Sequence, residues 1–331
     1  MLDESSVIPY LTERKLLRAD SYLGNATVEV LTGGVSCVVL AVANDAREIV
    51  VKQALPELKT KAKWVADQRR AIVEAEAMRV FQSITPDSVP ELLDCDAANF
   101  TLTMSRLPRT CTNWKQDMLE GRIHPEMGEK LGEILAKWHN TTAVDEAIKA
   151  KFMEGELFEQ LRVSPFYRAV AAKNPYLQVV INSLIEEITT EKIALVHGDF
   201  SPKNILATSY HSPIVLDFEV AHTGNPVFDL AFVSAHLLCK TIRTQSAAEK
   251  AAIKKTALNF LDAYRQTSQN AQVSIAQTLP QHVALIALAR VEGVSPVNYL
   301  DEPAQQKLVA LTNAALLDST MTYEQLFEGA R

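Results

Sequence analysis

Two different periodicities divide the chain near residue 106. Over the first hundred residues, short apolar runs bounded by Gly, Asn, Asp and Pro predict strands. Five runs carry this pattern: Val28–Leu31, Cys37–Val42, Glu48–Lys52, Val89–Asp94 and Thr101–Met104. Two helices are predicted among them, one that Ser5 or Ser6 caps and that continues to roughly Leu17, and one over Lys61–Ile84. These elements predict a small β-rich N-terminal lobe over residues 1–106.

Beyond residue 106 the apolar positions recur at helical spacing. The predicted helices are Pro125–Asn140, Phe158–Ile188 with breaks at Ser164-Pro165 and Asn174-Pro175, Asp229–Thr241, Ala247–Tyr264, Gln281–Val291 and Gln305–Met321. A β-rich lobe followed by a larger, mostly helical lobe over residues 107–331 gives an α+β chain of two lobes.

One segment inside the helical half breaks this pattern, because two short apolar runs bracket a polar loop. Ile193–Val196 leads into His197-Gly198-Asp199, and Ile214–Leu216 ends at Asp217, with Asn204 between them. We expect two short strands to bring the two aspartates and the asparagine to one end of a small sheet. Phosphoryl transfer from a Mg–nucleotide needs one carboxylate to orient the acceptor hydroxyl, and an amide and a second carboxylate to hold the metal. Either fragment alone is also compatible with a polar turn and a strand end.

Composition narrows the class of protein further. The 331 residues are 47% apolar and 22% charged, which is ordinary for a globular chain. A net charge of -7 without a compensating basic face argues against nucleic-acid binding. The four cysteines are far apart and form no CxxC pair, which favours reduced thiols and a cytoplasmic location. The acidic start MLDESS lacks a signal-peptide core, and the longest apolar run, Val283–Ala289, is too short to span a membrane.

The loop motifs resemble those of the superfamily that contains aminoglycoside phosphotransferases, choline kinases and methylthioribose kinases. The resemblance is carried by His197-Gly198-Asp199, Asn204, Asp217-Phe218-Glu219 and Val227-Phe228-Asp229-Leu230. It implies a protein-kinase-like fold and a small-molecule kinase that uses ATP and Mg²⁺. In such an enzyme Asp199 would take the proton of the acceptor hydroxyl, and Asn204 and Asp217 would bind Mg²⁺. His197 and Asp229 would support the catalytic loop.

The same resemblance suggests nucleotide-binding residues in the N-terminal lobe. Gly33, Gly34 and Ser36 would form a flap over the phosphates, although a Gly-Gly turn between strands is also an ordinary hairpin. Lys52 would contact the phosphates, paired with a carboxylate of the following helix. Periodicity leaves Glu74 and Glu76 both open as that partner, and the similarity to methylthioribose kinases points to Glu74.

Ser105–Pro108 would form the hinge that binds adenine through its backbone, with Met104 as a wall and Arg106 among the nucleotide contacts. A methionine at a strand end is equally an ordinary core residue.

The acceptor is predicted to be a small hydroxyl compound, with a methylthioribose-like sugar as the leading candidate. Glu219 and Arg290 are candidate substrate residues, although Arg290 is also explained as a cation at a helix C-terminus. An aminoglycoside or a choline-type amino alcohol is the alternative, because Ser201–Lys203 is closer to the pattern of those kinases. A nucleotide-binding module without turnover is the non-enzyme alternative. The sequence leaves the oligomeric state open, a homodimer included.

Overall fold

A computed structural model describes residues 1–17, 26–31, 36–44, 47–58 and 66–330. The chain divides into two compact units, Met1–Arg109 and Thr110–Arg331.

The N-terminal unit is built on a five-stranded antiparallel sheet in the order β1-β2-β3-β5-β4. Its elements are α1 (Val7–Glu13), β1 (Thr27–Val30), β2 (Cys37–Asn44), β3 (Arg47–Ala54), α2 (Arg70–Ile84), β4 (Leu92–Asp96) and β5 (Thr101–Ser105). All five predicted strands are therefore present. β3 is a central strand, and its Lys52 pairs with Val39 of β2 and Leu102 of β5.

Side-chain alternation in β3 separates two faces of this sheet. Ile49 and Val51 are buried in an apolar cluster that also contains Val7 and Leu11 of α1. Because successive strand residues point to opposite faces, Lys52 lies on the other face, where it contacts α2.

The helix predicted over Lys61–Ile84 begins later, at Arg70. The stretch 59–65 lies outside the described residues, and 66–69 are not helical. The Asp67 carboxylate accepts the backbone N–H of Arg69 at 2.8 Å, in the turn that immediately precedes the helix. Arg70 is fully buried, and its guanidinium donates to four backbone carbonyls, including those of Ser36 and Leu55. The helix start is thereby fixed to the sheet.

The C-terminal unit is mostly helical. Its helices are α3 (Trp114–Leu119), α4 (Pro125–Ala143), α5 (Glu146–Lys151), α6 (Glu156–Phe158), α7 (Ala169–Lys173), α8 (Gln178–Thr190), α9 (Val227–Arg243), α10 (Ala247–Thr267), α11 (Leu279–Glu292), α12 (Glu302–Leu317) and α13 (Tyr323–Gly329). Its short strands are β6 (Thr112–Asn113), β7 (Ala194–Val196), β8 (Ile205–Ala207), β9 (Pro213–Val215) and β10 (His222–Gly224). β7 pairs with β10, and β8 lies between β6 and β9.

One predicted helix break is wrong and the other is confirmed. A π-helical stretch, Glu159–Arg168, runs through Pro165 and joins α6 to α7. The N–H of Ala169 donates to the carbonyl of Ser164, five residues earlier, and this wider turn accommodates a proline that would clash in an α-helix. At Asn174-Pro175 the helix does end, and α8 begins only at Gln178.

The core of this unit lies around α4, α9 and α10. A Cβ on Gly128 or Gly132 of α4 would lie 2.1 or 2.3 Å from a backbone oxygen of α10, so glycine permits the close approach of these helices. Every residue of α9 from Val227 to Ile242 is buried, including Lys240. No helix among the described residues is both long and apolar enough to cross a membrane.

Candidate active site

The predicted catalytic loop follows β7 in the C-terminal unit. Asp199 comes three residues after the end of β7, and Asn204 closes a short 3-10 turn that leads into β8. The N–H of Leu216 donates to the carbonyl of Asn204 at 2.8 Å, which brings the loop beside the end of β9. Asp217 comes next and has a left-handed backbone, with φ of 71°. A left-handed backbone costs conformational energy at any residue other than glycine, so the surrounding contacts constrain Asp217 to this conformation.

The carboxylate of Asp199 is only 2% exposed and is surrounded by donors. Its Oδ1 lies 3.0 Å from Arg162 Nη2, and its Oδ2 lies 2.9 Å from Lys203 Nζ. The amide of Asn204 also donates to Oδ2, at 2.8 Å. Burial alone would raise the pKa of Asp199, but the charges of Arg162 and Lys203 outweigh it and hold the pKa below its ordinary value. Asp199 is therefore an ionised hydrogen-bond acceptor at neutral pH.

Oxygen ligands for a divalent cation are available beside this loop. Carboxylate oxygens of Asp217 and Glu219 lie within 4.8 Å of each other. Asn204 directs its amide N–H groups to Asp199, so its amide oxygen can serve as a metal ligand. Carboxylate and amide oxygens are the donors that Mg²⁺ prefers, so these residues fit the predicted metal site. Glu219, predicted to contact substrate, lies close enough to Asp217 to contribute to metal binding instead.

The buried carboxylate of Asp229 holds the backbone of the predicted catalytic loop. Its Oδ2 accepts the N–H of His197 at 2.6 Å, and its Oδ1 accepts the N–H of Gly198 at 2.8 Å. His139 Nε2 lies 3.3 Å from the same carboxylate. Burial would raise the pKa of Asp229, but hydrogen bonds and charge from His139 and His197 lower it overall. Gly198 is required in this turn, since its φ is 75° and a Cβ would lie 2.5 Å from the Val220 carbonyl.

His197 has a single consistent tautomer. Its Nδ1 accepts the N–H of Asp199 at 3.1 Å, so its Nε2–H donates to the carbonyl of Leu216 at 3.1 Å. Burial lowers its pKa below the ordinary value despite nearby carboxylates, which favours the neutral ring. The ring thus links the predicted catalytic loop to the residue before Asp217.

In the N-terminal unit, Lys52 and Glu74 form a buried ion pair. Lys52 Nζ lies 2.8 Å from Glu74 Oε2, and the two residues are 9% and 1% exposed. Glu76, the competing candidate, is instead ion-paired with Arg79 one turn further along α2. The geometry therefore selects Glu74, which periodicity alone left undecided.

The other residues predicted to bind the nucleotide lie in different environments, and two of them are outside the described residues. Gly33 and Gly34 lie outside the described residues. Ser36 is buried, and its carbonyl accepts from Arg70 Nη2 at 2.6 Å. Met104 is nearly buried and pairs with Val50 in the sheet. The Arg106 guanidinium lies 2.6 Å from Glu29 and 3.5 Å from Glu48, which is a structural ion-pair arrangement.

Arg162 is a site residue that the sequence analysis missed. It lies in the π-helical stretch, and its Nε donates to the carbonyl of Gly198 at 2.6 Å in addition to its contact with Asp199. The only signal in the sequence is an arginine between two apolar residues, Leu161 and Val163, both of which are buried. Arg290, a predicted substrate residue, lies at the end of α11 with its guanidinium 5.4 Å from the Phe166 ring. It lines a cavity together with Lys203, the partner of Asp199.

Comparison with known proteins places this geometry in a family. Residues 27–269 match the model described as the phosphotransferase enzyme family, and the chain belongs to that family. Methylthioribose kinase 2 of Oryza sativa subsp. japonica is 24% identical over 284 residues, which cover 77% of this chain and 66% of that protein. The methylthioribose kinase of Geobacillus kaustophilus is 24% identical over 273 residues, which cover 72% of this chain and 68% of that protein. The chain thus spans about two thirds of the length of the curated relatives it matches.

Solved structures support the same fold. An amicoumacin kinase in complex with AMP-PNP, Ca²⁺ and Ami has a TM-score of 0.59 at 13% identity, covering 98% of this chain and 97% of that one. At this identity the likeness concerns the fold. The predicted α+β kinase-like fold and the resemblance to the phosphotransferase superfamily are therefore confirmed.

Proposed function

We propose that the protein is an ATP- and Mg²⁺-dependent phosphotransferase that moves the γ-phosphate to a hydroxyl of a small molecule. The observation that carries this proposal is the buried, ionised Asp199, whose two carboxylate oxygens are oriented by Arg162, Lys203 and Asn204. The family match and the relatives named as kinases support it. The four free cysteines agree with a reducing, cytoplasmic setting.

In this proposal Asp199 accepts a hydrogen bond from the acceptor hydroxyl. The hydroxyl oxygen forms a bond to the γ-phosphorus, the bond from that phosphorus to the ADP oxygen breaks, and the proton passes to Asp199. Because its pKa is held low, Asp199 acts mainly by orienting the hydroxyl and accepts the proton late. Lys52, fixed by Glu74, would bind the non-transferred phosphates.

Asn204 and Asp217 are the proposed metal ligands, with Glu219 as a further candidate. A bound Mg²⁺ supplies charge neutralisation on the phosphates. The protein contributes oxygen donors whose positions are fixed by the bond between Leu216 and Asn204 and by the left-handed backbone of Asp217.

The acceptor is proposed to be a polyhydroxylated molecule related to methylthioribose. The curated relatives named methylthioribose kinase favour this over the aminoglycoside or choline alternative, and the same similarity motivated the assignment of Glu74. A coupled assay of ADP release tests the proposal across pentose derivatives, amino alcohols and aminoglycosides. We expect turnover with a pentose-type acceptor. No ADP release above the water-dependent background with any hydroxyl compound would contradict the kinase assignment.

Removing the Asp217 carboxylate should abolish the Mg²⁺ dependence of nucleotide binding. Asp217→Ala takes away the strongest proposed protein charge on the metal, so calorimetry should give the same ATP affinity with and without Mg²⁺. Asp262→Ala, at an exposed aspartate of α10, is the matched control and should retain the dependence. An unchanged Mg²⁺ effect in Asp217→Ala would mean that the metal binds elsewhere.

A further inference from the structure

A strongly cationic cavity lies beside Asp199 in the C-terminal unit. Its volume is about 100 Å³. The residues that line it come from five parts of this unit and include no carboxylate. The ionisable ones are Lys115, Lys203, His236, Lys240, Arg290 and Tyr299. Four of them are lysine or arginine, in a chain whose net charge is -7. The local charge of the cavity is therefore opposite in sign to the net charge of the chain.

Three of the four cations of this cavity have no acidic partner among the residues that the structure describes, and the fourth, Lys203, is paired with Asp199. In the described part of the chain, no Asp or Glu side chain is ion-paired with Lys115, Lys240 or Arg290. Lys240 is only 2% exposed, and its Nζ donates to the carbonyl of His236 at 3.3 Å. A buried ammonium with one long hydrogen bond is costly, so its presence in a fully buried helix needs an explanation.

Two further polar atoms at this cavity are buried without a hydrogen bond. They are Arg290 Nε and the hydroxyl of Tyr299. Buried donors are nearly always satisfied in native proteins, and exceptions often mark a place where a ligand binds. With Lys240, which has one long hydrogen bond, they line the same small cavity and leave donor capacity there unused.

The titration behaviour of Lys240 agrees with this reading. Burial, the largest cause, and the positive charges of Lys115, Arg290 and Arg243 together lower its pKa to about 7, against the opposing influence of Cys239. The remaining titratable groups that face it are His236, whose pKa is well below its ordinary value, Lys203, and Tyr299, whose ring lies 5.4 Å from its ammonium. An anion in the cavity would favour the charged lysine and take up a proton.

Lys203 connects the cavity to the proposed reaction centre. It lines the cavity, and its Nζ lies 2.9 Å from Asp199 Oδ2. Asp199 is ion-paired with Arg162 and Lys203, so it is not an ion-pair partner for Lys115, Lys240 or Arg290. We propose that the cavity binds an anionic group of the acceptor, a carboxylate or a phosphate, while a hydroxyl of the same molecule lies at Asp199.

This inference rests on the proposed kinase function and specifies its substrate class. A cavity of about 100 Å³ has room for a small anionic group. Cationic acceptors such as aminoglycosides or amino alcohols would meet repulsion there. A neutral sugar would leave the cations unpaired. The acceptor would therefore be a hydroxyl compound of methylthioribose-like size that carries an acid.

The test is binding of matched probes by calorimetry with the nucleotide site saturated with Mg–AMP-PNP. Inorganic phosphate is the minimal probe. Ribose 5-phosphate tests a phosphate group and ribonate tests a carboxylate group. Ribose is the neutral reference compound, and glucosamine is the cationic one. We expect phosphate and at least one anionic sugar to bind saturably, with a Kd at least tenfold below that of ribose. The affinity for ribonate, whose carboxylate stays ionised throughout, should fall as the pH rises from 6 to 8.5, because Lys240 loses its proton.

Two variants and one control locate the binding. Lys240→Met and Arg290→Gln should each raise the Kd of the anions at least tenfold, while Lys255→Met, at an exposed lysine of α10, should not change it. Lys240→Met should fold and melt at a higher temperature than the wild type, because it removes an uncompensated buried charge.

The outcomes separate this inference from the kinase proposal. Equal anion affinity in wild type and Lys240→Met, absence of saturable anion binding, or binding that disappears when Mg–AMP-PNP is bound would each overturn the anion subsite. In the last case the cavity would serve the nucleotide. Intact anion binding in a protein that turns over no acceptor would count against the kinase proposal alone.

Discussion

Replacing Asp199 by asparagine should lower kcat by about a hundredfold or more while the affinity for Mg–ATP stays nearly unchanged. Asparagine has the same shape, but it cannot accept the proton and would present an amide to the acceptor hydroxyl. It would also leave Arg162 and Lys203 without the carboxylate that now accepts from both. The measurements are ADP release under saturating acceptor and calorimetry with Mg–ATP.

Asp262→Asn provides the control, because that aspartate is exposed on α10 and its ion-pair partner among the described residues is Arg265. Its kcat should equal that of the wild type. If Asp199→Asn turned over at the wild-type rate, the assignment of Asp199 as the proton acceptor would be wrong. A loss confined to Mg–ATP affinity would instead place Asp199 at the nucleotide.

The site residues that the sequence predicts are those that lie close to one another along the chain. Asp199, Asn204 and Asp217 fall within a short loop and hairpin, so their proximity follows from two apolar runs and the turn between them. Asp229 follows a few residues later. For these residues the order along the chain nearly determines the spatial arrangement.

Residues that reach the site from distant helices were not predictable in this way. Arg162 contacts Gly198 across 36 positions of sequence, and it does so from a π-helical stretch where the sequence predicted a break. Lys240 lies in the helix predicted over Asp229–Thr241, and the sequence analysis assigned it no role. That no acidic partner reaches it among the described residues depends on the packing of α3, α9 and α11, which periodicity does not show. Periodicity also could not choose between Glu74 and Glu76, because both align with apolar neighbours.

The fold itself was largely accessible from the pattern. Five strands and most helices of the described chain occur where alternation or helical spacing predicted them. The errors concern helix ends, one interruption and short helices that were not predicted, namely α3, α5 and α13. Helix α2 begins well after the predicted start, and the wider π-helical turn carries the chain through Pro165.

Asp229→Asn should cost about 3 kcal/mol of the free energy of unfolding, because it breaks a buried charged network. The carboxylate now accepts from His197 N, Gly198 N and His139, and it is fully buried. Asparagine keeps one acceptor oxygen and would place its amide against a second N–H donor. We also expect kcat to fall, since these two backbone groups fix the chain that leads into Asp199.

The pH dependence of stability gives this prediction a sharper test. Because the pKa of Asp229 is lowered below the ordinary value of 3.8, its contribution is fully present above that value and is lost as the pH falls through the folded-state pKa. Urea unfolding followed by circular dichroism from pH 7 to pH 2 should therefore show the largest gap between wild type and variant near neutrality, narrowing in acid. Asp262→Asn, which removes only an exposed carboxylate, should follow the wild-type curve throughout. A gap that stays constant down to pH 2 would mean that packing, and not the ionised carboxylate, accounts for the loss.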